Sequence, residues 1–238
     1  MKKQLLTIGL VIASVFASQA QYVLTKNTPP FGATFTMKRI TGSVAKPTLG
    51  QNQTWDYSTV TGSTLANYVY IKKDTVSQAL KDSFPTTTLI EYLPIPGAPD
   101  FNLNPMVFIE EKPNFFLRLG VKSSGTSMQR VNDTMFYFNH AYDSTIYYGS
   151  QYTKYAGYGS LKLGAKTYDT VVVMQYINTA KTDTTLWFIT MKPYYQRLLG
   201  MGIKSDTVAA AFFYETGMIN PTGVNETALA QTKVYQIL

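Results

Sequence analysis

Cysteine is absent from the 238 residues. That excludes a disulfide framework, thiolate metal sites and a cysteine nucleophile. It also excludes lipid attachment at an N-terminal cysteine. Histidine occurs once, at His140, so a histidine-rich metal centre is excluded by count. A Ser-His-Asp triad would have to use that residue, and no G-x-S-x-G elbow accompanies it. His140 reads as structural or surface. No run of five like charges exists, so the basic balance argues for solubility and against nucleic-acid binding. Gly157-Tyr158-Gly159 is not followed by a helical pattern and fails the dinucleotide-loop test. No D-x-[DN]-x-[DN]-G calcium run is present. No cofactor and no metal is implied.

One apolar run stands out, Leu5 to Phe16, after Met1-Lys2-Lys3 and before the small residues Ser18 and Ala20. This order of segments predicts a secretory signal peptide over residues 1–20, with Gln21 first in the mature chain. The run is shorter than the roughly 20 residues a membrane-spanning helix needs. Without Lys2 and Lys3 the formal charge falls from +7 to +5. An exported chain located in the periplasm, at the cell surface or in the medium is expected. No second segment could span a membrane as a helix.

What the sequence holds in abundance is Tyr, Phe, Thr and Val in short runs between turn residues, with 18 Tyr and 13 Phe. The spacing predicts an all-β domain over 21–217, an antiparallel sandwich or partly closed barrel of ten or more strands. Alternation in Tyr68–Lys72 and Phe115–Val121 divides side chains between two faces. No βαβ rhythm appears, so a parallel sheet is not expected. One short helix is expected, Val76 to Lys81, capped by Asp74 or Thr75. Lys46–Gln53 and the proline-rich Leu93–Asp100 read as surface loops, and 218–238 as a polar tail or linker. Trp55, amid turn-prone residues, reads as a plug at one end of the core. Gly157 and Gly159 predict a bulge, or a place where another backbone comes close.

Seven of the nine aspartates precede Ser or Thr: Asp74, Asp82, Asp133, Asp143, Asp169, Asp183 and Asp206. Turn chemistry explains part of this, since Asp bonds the backbone two residues on and Thr starts a strand well. Six pairs are followed by Val, Met or Thr. The triplet resembles the O-glycosylation acceptor motif of exported Bacteroidetes proteins. That resemblance would make Thr75, Thr134, Ser144, Thr170, Thr184 and Thr207 acceptors.

Gly50-Gln51-Asn52-Gln53-Thr54-Trp55-Asp56-Tyr57-Ser58 resembles a "G-x-N-Q-T-W-D-[FY]-S" segment of Bacteroidetes secreted proteins. Tyr155–Leu163 followed by Thr167–Val173 resembles their "G-Y-G-[TS]-L … G-T-Y" hairpin. Such proteins continue into a type IX secretion sorting domain near "K-V-Y-P-N-P". Here Lys233-Val234-Tyr235 leads into Gln236-Ile237-Leu238, without the Asn-Pro step. The resemblance is silent on activity.

Two classes of function remain. The first is a non-catalytic domain for binding, adhesion or assembly, its partner a glycan or another envelope protein. Tyr147, Tyr152, Tyr155 and Tyr158 are its candidate ligand contacts, because a tyrosine ring offers contact area at low entropy cost. The same crowding is also what packing along hairpins would give. The second is a carbohydrate-active or lipid-handling protein with a cavity in the sheet. Glu110 and Glu111 are adjacent and would face opposite ways on a strand. Glu91 and Glu215 lie inside apolar strands and are the candidate inward acids. Charges that guard a sheet edge are the competing reading. A pocket joining either acid to tyrosines would favour the second class.

Overall fold

Alternating apolar residues place side chains on both faces of nearly every strand, so the sheet must be covered twice. The computed structural model describes residues 25–94, 104–123, 127–138, 142–148, 151–178 and 183–218. Its strands are β1 (Ala33–Thr41), β2 (Gly50–Tyr57), β3 (Thr61–Ile71), β4 (Leu89–Tyr92), β5 (Met106–Glu111), β6 (Phe115–Lys122) and β7 (Met128–Tyr137). They continue with β8 (Thr145–Tyr148), β9 (Gln151–Leu163), β10 (Lys166–Asn178), β11 (Asp183–Thr190), β12 (Gln196–Lys204) and β13 (Thr207–Met218). The protein is all-β, as its alternation predicts. All thirteen strands join one sheet in the order β2-β9-β10-β11-β12-β13-β1-β3-β4-β5-β6-β7, with β8 beside β9. The end strands β2 and β7 do not pair, so the sheet is open.

The sheet folds over on itself, and its two halves face each other across a central core. Phe35, Tyr70, Leu89, Ile109, Phe116 and Phe136 from one half meet Tyr155, Val172, Met174, Ile189, Tyr195 and Tyr214 from the other. Two contacts tie the halves. The Tyr176 hydroxyl on β10 donates to the Met135 carbonyl on β7. Arg197 on β12 donates to Glu91 on β4, both largely buried. The outer faces are covered separately. Trp55 and Tyr57 of β2, with Val44, Leu49 and Val60 beside them, pack on Val171, Val173, Leu186, Phe188 and Phe213. Helix α1 (Gln78–Ser83) and its flanks bring Val76, Leu80 and Phe84 against Val69, Ile90 and Phe108.

Three expectations need correction. Lys46–Gln53 is not all loop, because β2 begins at Gly50 and pairs in parallel with β9, making the sheet mixed. Trp55 is therefore a strand residue, its indole donating to the Thr48 carbonyl at 2.8 Å. The helix starts two residues later than expected, and neither Asp74 nor Thr75 caps it. They lie in a 3-10 turn (Lys73–Thr75), where the Thr75 hydroxyl donates to the Lys72 carbonyl at 2.6 Å. The predicted leader, His140, most of the Leu93–Asp100 loop and 219–238 lie outside the described residues. Among the described residues no helix is long and apolar enough to cross a membrane.

The glycine expectation is met in its close-approach form. A Cβ on Gly159 would stand 1.9 Å from the Gln53 carbonyl oxygen across the β2–β9 pair. The β9–β10 ladder also shifts register opposite Tyr155–Gly157.

Burial of so many phenols sets an alkaline limit on stability. Desolvation pushes Tyr57 and Tyr214 up to about 12, Tyr70 higher still, and Tyr195 well above the ordinary phenol value. Unfolded phenols ionise near pH 10. Between these values the unfolded chain gives up protons that the native chain keeps, so stability falls as pH rises. It is fully present below about pH 10 and lost progressively toward 12. Tyrosinate absorbance should rise together with loss of the native signal in this window. Stability unchanged up to pH 12 would contradict the assignment.

Candidate functional site

The cleft forms where the β9–β10 hairpin meets the β1–β13 pair. The hairpin turns through Gly164 and Ala165, with Gly164 at φ +56°, the left-handed backbone a two-residue loop needs. Its amide donates to the Tyr57 carbonyl, which docks the tip on β2. Beyond the tip the β9–β10 ladder shifts register between Tyr168 and Val171, and Tyr168 packs against the outer core. On the other wall Phe213 of β13 stands opposite Lys38 of β1. Glu215 lies two residues along, the diagonal position that long side chains reach. The Lys38 ammonium donates to Glu215 Oε1 at 2.7 Å and lies 5.7 Å from the Phe213 ring centroid. Gly62 of β3 completes the floor, where a Cβ would press to 2.9 Å from that ring.

The cleft is open to solvent and has a volume of about 600 Å³, within the range that ligand clefts occupy. Its walls carry the cations Lys38 and Lys166, the single carboxylate Glu215, the phenol of Tyr168, and apolar surface from Val60, Leu163 and Phe213. Burial, and secondarily the negative Glu215, hold the Tyr168 phenol above its ordinary pKa, so it is a donor at neutral pH.

The predicted tyrosine cluster divides. Tyr147 is 77% exposed and its ring lies 5.7 Å from Tyr152, directly opposite on the β8–β9 hairpin. Tyr155 is 2% exposed and belongs to the central core, so it presents no surface to a ligand. Tyr158 packs partly against the same core, beside Tyr142. The register shift in β9 is the reason, since it turns Tyr155 and Tyr158 to one side despite their odd spacing. Only Tyr147 and Tyr152 remain together as a surface pair.

The two inward acids also divide. Glu91 is buried, and its carboxylate is taken up by the Arg197 guanidinium. Glu215 is on the surface, its side chain 53% exposed, and helps line the cleft. Glu110 takes Lys112 and Thr86, and Glu111 accepts from Thr28. Among the described residues no cluster of three His, Asp or Glu could hold a metal ion.

The acceptor candidates differ in access. Thr207 alone of the six is exposed; it opens β13 directly after the tight turn through Ser205 and Asp206, both at positive φ. Its hydroxyl donates to the Lys204 carbonyl at 2.9 Å. Ser144 precedes β8 and Thr75 lies in the 3-10 turn, both half-buried. Thr134, Thr170 and Thr184 are half-buried on strands β7, β10 and β11.

Sequence reasoning missed Lys38, Lys166 and Tyr168 as neighbours of Glu215. The i, i+2 spacing of Phe213 and Glu215 was a signal that they share one face of their strand. Nothing local brings a residue of the β9–β10 hairpin to β1 and β13. Compared with protein-family models, with curated proteins and with solved structures, the chain matches none of them.

Proposed function

We propose that this chain is an exported, non-catalytic binding domain of a bacterial envelope or secretome, with the cleft around Tyr168 and Glu215 as its ligand surface. The observation that carries the reading is the state of the acids. Hydrolysis of a glycosidic bond by the usual route needs two carboxylates about 5 to 9 Å apart. The cleft holds one, and that one is already bound by Lys38. Glu91, the other inward acid, is consumed by Arg197. What the cleft offers instead is aromatic and apolar surface beside a few fixed polar groups, a pattern suited to recognition. The signal-peptide order of segments supports export, and the quoted segments support a Bacteroidetes source. The Asp-Ser/Thr triplets support O-glycosylation, with Thr207 the most accessible acceptor.

The alternative, a carbohydrate-active or lipid-handling protein, draws on the same cleft because it joins an acid to a tyrosine. Glycan-array binding and hydrolysis of glycan and ester substrates separate the two. The purified mature chain should bind without turnover. Tyr168→Phe and Glu215→Gln should each weaken binding about tenfold while leaving the melting temperature unchanged. Turnover that Glu215→Gln abolishes would overturn the binding reading. Intact mass of protein from its native host tests the rest. Gln21 as first residue with added hexose is expected, and the bare mature mass would reject glycosylation.

A further inference from the structure

Resting on the binding reading of the cleft, we infer that its ligand is an acidic sugar, a glycan residue that carries both vicinal hydroxyls and a carboxylate. Several polar groups of the cleft are left available by the protein itself. Lys38 spends one proton on Glu215 Oε1. The second Glu215 oxygen, the remaining Lys38 protons and the Tyr168 phenol make no hydrogen bond with the described residues. A donor and an acceptor fixed 2.7 Å apart match adjacent hydroxyls, since each hydroxyl can both donate and accept. A purely anionic ligand would be repelled there by the free oxygen of Glu215, and a purely apolar one would strand both charges.

Lys166 supplies the second requirement. It follows the hairpin tip, lines the cleft, and pairs with no carboxylate among the described residues. Lys38 is neutralised by Glu215, so Lys166 leaves the cleft one positive charge in excess. A ligand that satisfies it must bring a negative group to the rim while its hydroxyls reach Lys38 and Glu215. Phe213, Leu163 and Val60 give the apolar lining against which the C–H face of a pyranose ring can rest. A uronic acid residue has all three features in one ring.

The test is titration calorimetry with trimers of galacturonate, glucuronate and mannuronate and with their methyl esters. The proteins are wild type, Lys166→Gln and Tyr168→Ala. At least one acid trimer should bind wild type about tenfold or more tighter than its ester. Lys166→Gln should erase that ratio by weakening the acid form far more than the ester, and added salt should weaken the acid form more than the ester. Tyr168→Ala should weaken both forms. Equal affinity for acid and ester, with Lys166→Gln indifferent, would overturn the acidic inference and leave the cleft as a neutral-glycan site. No binding of any uronate, with neutral glycans bound on arrays through Tyr168, would likewise overturn it alone. Failure of Tyr168→Ala to change any glycan binding would overturn the cleft reading itself.

Discussion

Replacing Arg197 with methionine is expected to destabilise the native chain by about 3–5 kcal/mol, lowering the melting temperature by on the order of 10 °C. The reason is the position of its partner. Glu91 is 6% exposed on β4, inside the folded-over sheet, and Arg197 comes to it from β12, with β13, β1 and β3 intervening in the sheet. Removing the guanidinium leaves a carboxylate in the core with no counter-charge. Three rings are lost as partners at the same time. Phe35, Tyr214 and Trp187 stand 5.0, 5.5 and 6.0 Å from the guanidinium carbon. Each such contact contributes roughly 0.5–2 kcal/mol. Lysine should not substitute, because a compact ammonium cannot stack flat between rings.

The double variant Arg197→Met/Glu91→Leu should recover most of the loss, since removing both charges removes the desolvation cost along with the attraction. Urea unfolding followed by circular dichroism would measure the cycle. A single substitution without effect, or a double variant that loses the sum of the two singles, would show that the pair does not bridge the core. High salt should change the wild-type value little, because the pair is shielded from solvent ions.

That pair also shows where reading a sequence stops. Glu91 was legible as a candidate inward acid because it lies inside an apolar strand. Its partner lies 106 residues away, and no period or spacing connects them. The strands with one face on each core, such as β10 with its run Val171–Met174, were legible because both faces are apolar. β2 was not. Gln51, Asn52 and Thr54 are exposed, so only Trp55 and Tyr57 record that a buried face exists. Turn chemistry was half legible. Asp206 and Asp143 adopt the positive φ that Asp tolerates. Asp56, outside the repeated pairs, accepts from the Ser58 amide two residues on. The cleft was the least legible part. Its walls are brought together by the way the sheet curls, and a one-residue register shift decides which face Tyr168 shows.

A single added methyl at Gly159 should detach β2. In the parallel β2–β9 pair Gly159 stands opposite Gln53. Its Cβ would lie 1.9 Å from the Gln53 oxygen and 2.7 Å from its backbone carbon and nitrogen. These are main-chain atoms, so no rotamer change relieves the overlap and the strands must separate. Separation uncovers Trp55 and Tyr57, which meet Phe188 edge-on with centroids 5.1 and 6.2 Å apart. Each large side chain returned to water costs about 1.5–3 kcal/mol. Gly157→Ala is the matched control on the same strand. Its nearest neighbours, at 3.1 to 3.4 Å, are Gly50 backbone and the edge of Trp55, and a shift of a few tenths of an ångström accommodates it. The chain has two tryptophans, so in a Trp187→Phe background the emission reports Trp55 alone. Gly159→Ala should shift that emission to the red and admit acrylamide, while Gly157→Ala should leave it near the parent. Equal spectra for the two variants would mean that β2 is not held against β9 in the register described.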